Sequence, residues 1–118
     1  MIEFRPLASS SAGCAYLVKG STLPPLLIDC GLSMSAIRRH VMPSSLGGCL
    51  ISHGHGDHCK AVPDLLKSAV NCYASVETWQ RLGGKHHRAH MLVEEEQASV
   101  AGWEVLPFEA VHDEPGTL

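Results

Sequence analysis

Three imidazoles and a carboxylate fall within the six residues His53-Gly54-His55-Gly56-Asp57-His58. Nitrogen and carboxylate oxygen without thiolate is a donor set suited to zinc, with manganese as an alternative. In an extended stretch alternate side chains point the same way, so His53 and His55 can grip one ion, while Asp57 and His58, beyond the turn, can hold a second. Two such Lewis acids lower the pKa of a shared water toward about 7 and polarise the carbonyl or phosphoryl group under attack. Asp57 is also the candidate catalytic residue, placed to orient the nucleophile. The competing reading is a solvated histidine-rich loop with no function. It is disfavoured by what flanks the loop, an apolar strand in front and an apolar helical pattern behind.

The preceding element is Gly48 to Ser52, where Cys49, Leu50 and Ile51 make a short buried-strand pattern, and Gly54 and Gly56 then permit tight backbone paths. From Lys60 to Val70 the spacing of Val62, Leu65, Leu66 and Ala69 predicts a helix, with Pro63 tolerated in its first turn. Upstream, Ile2 to Ala8 and Cys14 to Val18 read as strands joined by the small-residue turn SSSAG. Leu26-Leu27-Ile28 reads as a third strand stopping at Asp29. Ser33 or Ser35 caps a helix running to about Val41, and Pro43 ends it. Downstream, Asn71 to Ala74 predicts a strand and Ser75 caps a helix with Val76, Trp79 and Leu82 that stops at Gly83-Gly84. The His-rich stretch after it reads as irregular, and Ser99–Ala101 and Glu104–Val111 predict two strands joined at Gly102-Trp103. Alternating strands and helices mean a mixed α/β fold.

A chain of 118 residues, 45% apolar and 18% charged, has the size and balance of one folded domain, 1–118. A net charge of −3 gives no global sign of a nucleic-acid binder. Five cysteines at irregular spacings, without a CxxC pair, suggest neither a disulfide framework nor a zinc ribbon. No apolar run approaches the roughly 20 residues of a membrane span, so a cytoplasmic protein without a membrane partner is expected.

His53, His55, Asp57 and His58 resemble the HxHxDH signature of the metallo-β-lactamase superfamily. Leu27-Ile28-Asp29-Cys30-Gly31 is similar to that family's strand-ending acid motif, and Phe108 to His112 to its later strand ending in a histidine. The resemblance implies an αββα sandwich, α/β (α+β) in class, of which this chain supplies mainly the N-terminal half. It implies that His112 joins His53 and His55 on the first of two zinc ions, that Asp57 and His58 hold the second, and that Asp29 supports the loop without binding metal. It also implies a bridging aspartate and a final histidine from a second half, so the domain is expected to be C-terminally incomplete and completed by a complementary half or by homo-oligomerisation.

The SSSAG turn, the Leu27 to Gly31 motif and His112-Asp113 look most like the YycJ/WalJ-type branch, which implies a metallohydrolase acting on DNA or RNA phosphodiesters. Thioester or lactone hydrolysis on the same centre, and a metal-binding unit without turnover, stay open as alternatives. His86, His87 and His90, with Arg81, Lys85 and Arg88, form a basic stretch that reads either as a phosphate contact or, more simply, as a solvated connection. Cys59 and Cys30 read as small buried thiols, and Trp79 and Trp103 as packing residues.

Overall fold

In a computed structural model the chain is described over residues 2–10, 13–52, 59–83 and 86–108. Its strands are β1 (Glu3–Ser10), β2 (Gly13–Lys19), β3 (Leu26–Cys30), β4 (Gly48–Leu50), β5 (Cys72–Ala74), β6 (Ala89–Met91), β7 (Ala98–Val100) and β8 (Trp103–Val105). The α-helices are α1 (Met34–Arg38), α2 (Val62–Lys67) and α3 (Val76–Leu82). A six-stranded sheet runs in the order β1-β2-β3-β4-β5-β6, and β7-β8 form a separate pair. β1, β2 and β3 are antiparallel, whereas β3, β4, β5 and β6 are parallel. Each parallel step advances in the same direction through the sheet, so right-handed crossovers place the intervening helices on one face.

That face holds the core. Leu27, Cys49, Cys72 and Ala74 from the strands and Ile51 just after β4 meet Met34 and Ile37 of α1, Val62 and Leu65 of α2 and Trp79 of α3. Each helix begins as its sequence requires. The Ser33 and Ser75 hydroxyls accept from the backbone N–H groups of Ala36 and Thr78, and Pro63 lies in the first turn of α2, where its missing N–H has no partner to lose. Helix α1 ends at Arg38 rather than near Val41, because the N–H of Arg39 bonds to the Ala36 carbonyl in a tighter closing turn.

The opposite face carries the row Tyr16, Ile28, Leu50, Tyr73 and His90, aligned by the strand register. The β7–β8 hairpin packs against part of it, with Val100 fully buried and the Trp103 indole donating to the Pro24 carbonyl at 2.7 Å. The hairpin turns at Ala101-Gly102, one residue earlier than its sequence suggests, with φ of 50° and 90° at the two positions. Positive φ at both central residues matches the twist of the flanking strands and explains the glycine. Contact with the sheet is close enough to exclude side chains: a Cβ on Gly47 would lie 2.6 Å from that of Ala101.

β6 is a strand that the sequence pattern did not predict, since three residues are too few for an alternation to stand out and their burial is incomplete. β8 closes at Val105, short of the expected Val111; residues 106–108 are not strand and 109–111 lie outside the described residues.

Gly47→Ala is expected to push the hairpin off the sheet and lower stability by about 1 to 3 kcal/mol, read as an earlier midpoint in urea denaturation. An unchanged midpoint would mean that the hairpin is not packed there.

Candidate metal centre

Asp29 is where the site begins. Ala15 pairs with Cys30 and Tyr16 with Ile28, so Asp29 is an extra residue on β3, a bulge, and its φ is 61°. Bulges bend a strand and re-aim a side chain, and aspartate is among the few non-glycine residues that tolerate the left-handed region. Asp29 is 4% exposed. Its Oδ1 accepts the backbone N–H of Ser52 at 2.8 Å and its Oδ2 accepts the Ser52 hydroxyl at 2.7 Å. The carboxylate thereby clamps the residue immediately before His53. On the far side of the histidine loop, the N–H of Ala61 donates to the Cys30 carbonyl at 2.9 Å. Both flanks of residues 53–58 are thus tied to consecutive residues at one end of β3. β4 is fixed further by the N–H of Ile51, which donates to the Tyr73 carbonyl at 2.9 Å.

Asp29 is the residue expected to support the loop without binding metal, and what its carboxylate holds is Ser52, which the motif reading did not select. The available signal was a hydroxyl directly before the first histidine, and its partner is 23 residues away in sequence. The ligand candidates His53, His55, Asp57, His58 and His112 lie outside the described residues.

The other polar candidates divide clearly. His90 stacks on Tyr73 at a centroid distance of 4.9 Å, and its Nε2 lies 3.1 Å from Asn71 Oδ1, while its carbonyl accepts the Trp79 indole N–H at 2.6 Å. It is a structural histidine on β6. His86 and His87 stack on each other at 4.5 Å, and His86 Nδ1 accepts the Arg88 N–H. Cys30, Cys49, Cys59 and Cys72 are buried. Hydrogen bonding with the Cys30 and Cys72 thiols, together with burial, pushes the Cys49 thiol well above its ordinary range. A thiol held protonated is a poor metal ligand. Among the described residues no group of three or more His, Cys, Asp or Glu side chains is arranged to hold a metal ion. No helix among them is long and apolar enough to cross a membrane.

Asp29→Ala should remove both acceptors from Ser52 and destabilise the fold by about 2 to 3 kcal/mol in chemical denaturation. Ser52→Ala keeps the backbone bond and should cost about 1 kcal/mol, yet weaken metal binding roughly tenfold, because groups that orient a ligand loop tune affinity. Equal metal affinity in Ser52→Ala and the unmodified chain would disconnect the clamp from the loop.

Comparison with known proteins agrees with this architecture. Residues 25–117 match the beta-lactamase superfamily domain. An uncharacterized protein of Mycobacterium tuberculosis is 34% identical over 84 residues, a match covering 62% of this chain and 30% of the relative, and an uncharacterized protein of Mycobacterium leprae is 33% identical over 84 residues, covering 62% and 29%. The chain therefore spans about a third of the length of these curated relatives. Among solved structures, the metallo-beta-lactamase fold protein YhfI of Bacillus subtilis superposes with a TM-score of 0.75 at 19% identity, over 97% of this chain and 55% of that one. The metallo-beta-lactamase MIM-1 of Novosphingobium pentaromativorans gives 0.69 at 21% identity, over 88% and 47%. A flavo di-iron protein of Thermotoga maritima gives 0.59 at 24% identity, over 76% and 25%. The chain belongs to the beta-lactamase superfamily, and its mixed α/β architecture is that of the N-terminal part of the metallo-β-lactamase fold.

Proposed function

We propose that this chain supplies the metal-binding loop of a metal-dependent hydrolase. The observation that carries this reading is that His53, His55, Asp57 and His58 directly follow a strand end clamped by a buried carboxylate, in a chain of the beta-lactamase superfamily. The donor chemistry fits divalent metal, since imidazole and carboxylate are available without competing thiolate. His53 and His55 hold one ion, joined by His112, and Asp57 and His58 hold a second. Zinc so held supplies an activated water near neutral pH and a Lewis acid for the substrate oxygen, with manganese as the alternative. Asp57 orients the attacking nucleophile by accepting its hydrogen bond. Asp29 and Ser52 hold the loop to β3, so that its donors need less ordering when metal arrives. In family terms the bridging aspartate and final histidine come from a second half, as further chain or as an associating copy.

A phosphodiester of DNA or RNA is the substrate class we favour, on the resemblance of the SSSAG turn, the Leu27 to Gly31 motif and His112-Asp113 to the YycJ/WalJ-type branch. Cys14, Cys30, Cys49, Cys59 and Cys72, none of them in a disulfide, fit a reducing cytoplasm. The flavo di-iron neighbour is a reminder that related scaffolds also hold iron.

His55→Ala is expected to reduce bound zinc by at least half in elemental analysis of the loaded protein, with the circular dichroism spectrum retained. Unchanged stoichiometry would remove His55 from the ligand set, and iron retained in preference to zinc would count against a zinc hydrolase. In the metal-loaded protein, a chromogenic phosphodiester should be cleaved faster than a thioester or a lactone. The reverse order would replace the substrate class and leave the metal centre standing.

A further inference from the structure

On the helical side of the sheet, α2 and α3 are separated by a groove of about 370 Å³ lined by Val62, Pro63, Leu66, Trp79 and Leu82. Its size lies within the roughly 300 to 1,000 Å³ of small-molecule sites. Val62 and Trp79 belong to the core proper, while Leu66 and Leu82 are only partly buried and pack against its edge, so the apolar stripes of the two helices continue beyond the packed interior into the groove.

The charged or ionisable nitrogen groups among the groove's described residues are all basic. Lys60 precedes α2, Lys67 is its last residue and His86 follows α3, and among the described residues lining the groove there is no aspartate or glutamate. Neither lysine forms an ion pair with a carboxylate among the described residues. His86 Nδ1 accepts the Arg88 N–H at 3.1 Å, which assigns the ring proton to Nε2 and makes that nitrogen a donor. Two ammonium groups and an imidazole N–H around an apolar floor are complementary to a molecule with an apolar body and an anionic head.

We infer that the α2–α3 groove binds an aliphatic carboxylate of medium chain length, its tail against Leu66, Trp79 and Leu82 and its head paired with Lys60 or Lys67. Cys59, the first described residue after the histidine loop, lines the same groove, so the ligand sits beside the segment that leaves the metal centre. The inference rests on the groove alone and is independent of the metal reading.

Decanoate, decylamine and decanol titrated into the full chain, with binding read by calorimetry and by the fluorescence of Trp79 in a Trp103→Phe background, test it. Decanoate should bind saturably at one site and at least tenfold more tightly than either analogue. Lys60→Gln or Lys67→Gln should weaken decanoate about tenfold while leaving decanol unchanged, and both substitutions are at exposed positions, before and at the end of α2, where folding is readily checked by circular dichroism. Equal affinity for the three probes, or decanoate binding indifferent to both lysines, would overturn the inference and leave the groove a generic apolar surface. Metal content measured on the same samples separates this result from any failure of the hydrolase reading.

Discussion

The Asp29 carboxylate is displaced from the alternation of β3 by a bulge and accepts two hydrogen bonds from Ser52. A carboxylate in a nearly water-free position is costly unless charge-assisted hydrogen bonds replace its hydration, and the Ser52 amide and hydroxyl contribute two of them. The consequence is mechanical as well as energetic. β4 ends where Asp29 can reach it, and the chain returns from the histidine loop to the carbonyl of the very next residue, Cys30. For the metal site proposed above, such fixed ends would remove degrees of freedom from the loop before metal binds.

The sheet behind this clamp is asymmetric. Helices seal one face with a core that includes Cys30, Cys49 and Cys72, thiols that serve as small apolar groups. The other face carries Tyr16, Ile28, Leu50, Tyr73 and His90 and is covered in part by the β7–β8 hairpin, whose approach is close enough that residues 47 and 48 are both glycine. That hairpin forms a sheet separate from the main one, which is the layering expected where a second sheet packs on the first. Residues 53–58 therefore follow the C-terminal end of the parallel strand β4, where open α/β sheets commonly place their ligands.

Membership of the beta-lactamase superfamily settles the scaffold and leaves the chemistry to the site. The structural neighbours include a metallo-beta-lactamase and a flavo di-iron protein, so the same fold is shared by proteins of different kinds. What distinguishes one use from another is the donor set and its surroundings. Here that means imidazole and carboxylate in the loop sequence, the Cys49 thiol pushed up by burial and its thiol neighbours in the core, and His90 engaged with Tyr73 and Asn71.

Local order was legible in the amino-acid sequence because it depends on near neighbours. The serine caps of α1 and α3, the proline in the first turn of α2, the apolar run of β4 and the donor cluster after it are all written within a few consecutive residues. The short β6 escaped, since a three-residue edge strand bearing a histidine has no periodicity to reveal it. Likewise Ala101 in a left-handed turn conformation is not announced by its residue type. That Asp29 is buried, that it grips Ser52, and that α2 and α3 leave a basic-rimmed groove between them were decided only by the tertiary fold. Each depends on the register and crossover of strands far apart in the chain, and no local spacing encodes which distant backbone a side chain will meet.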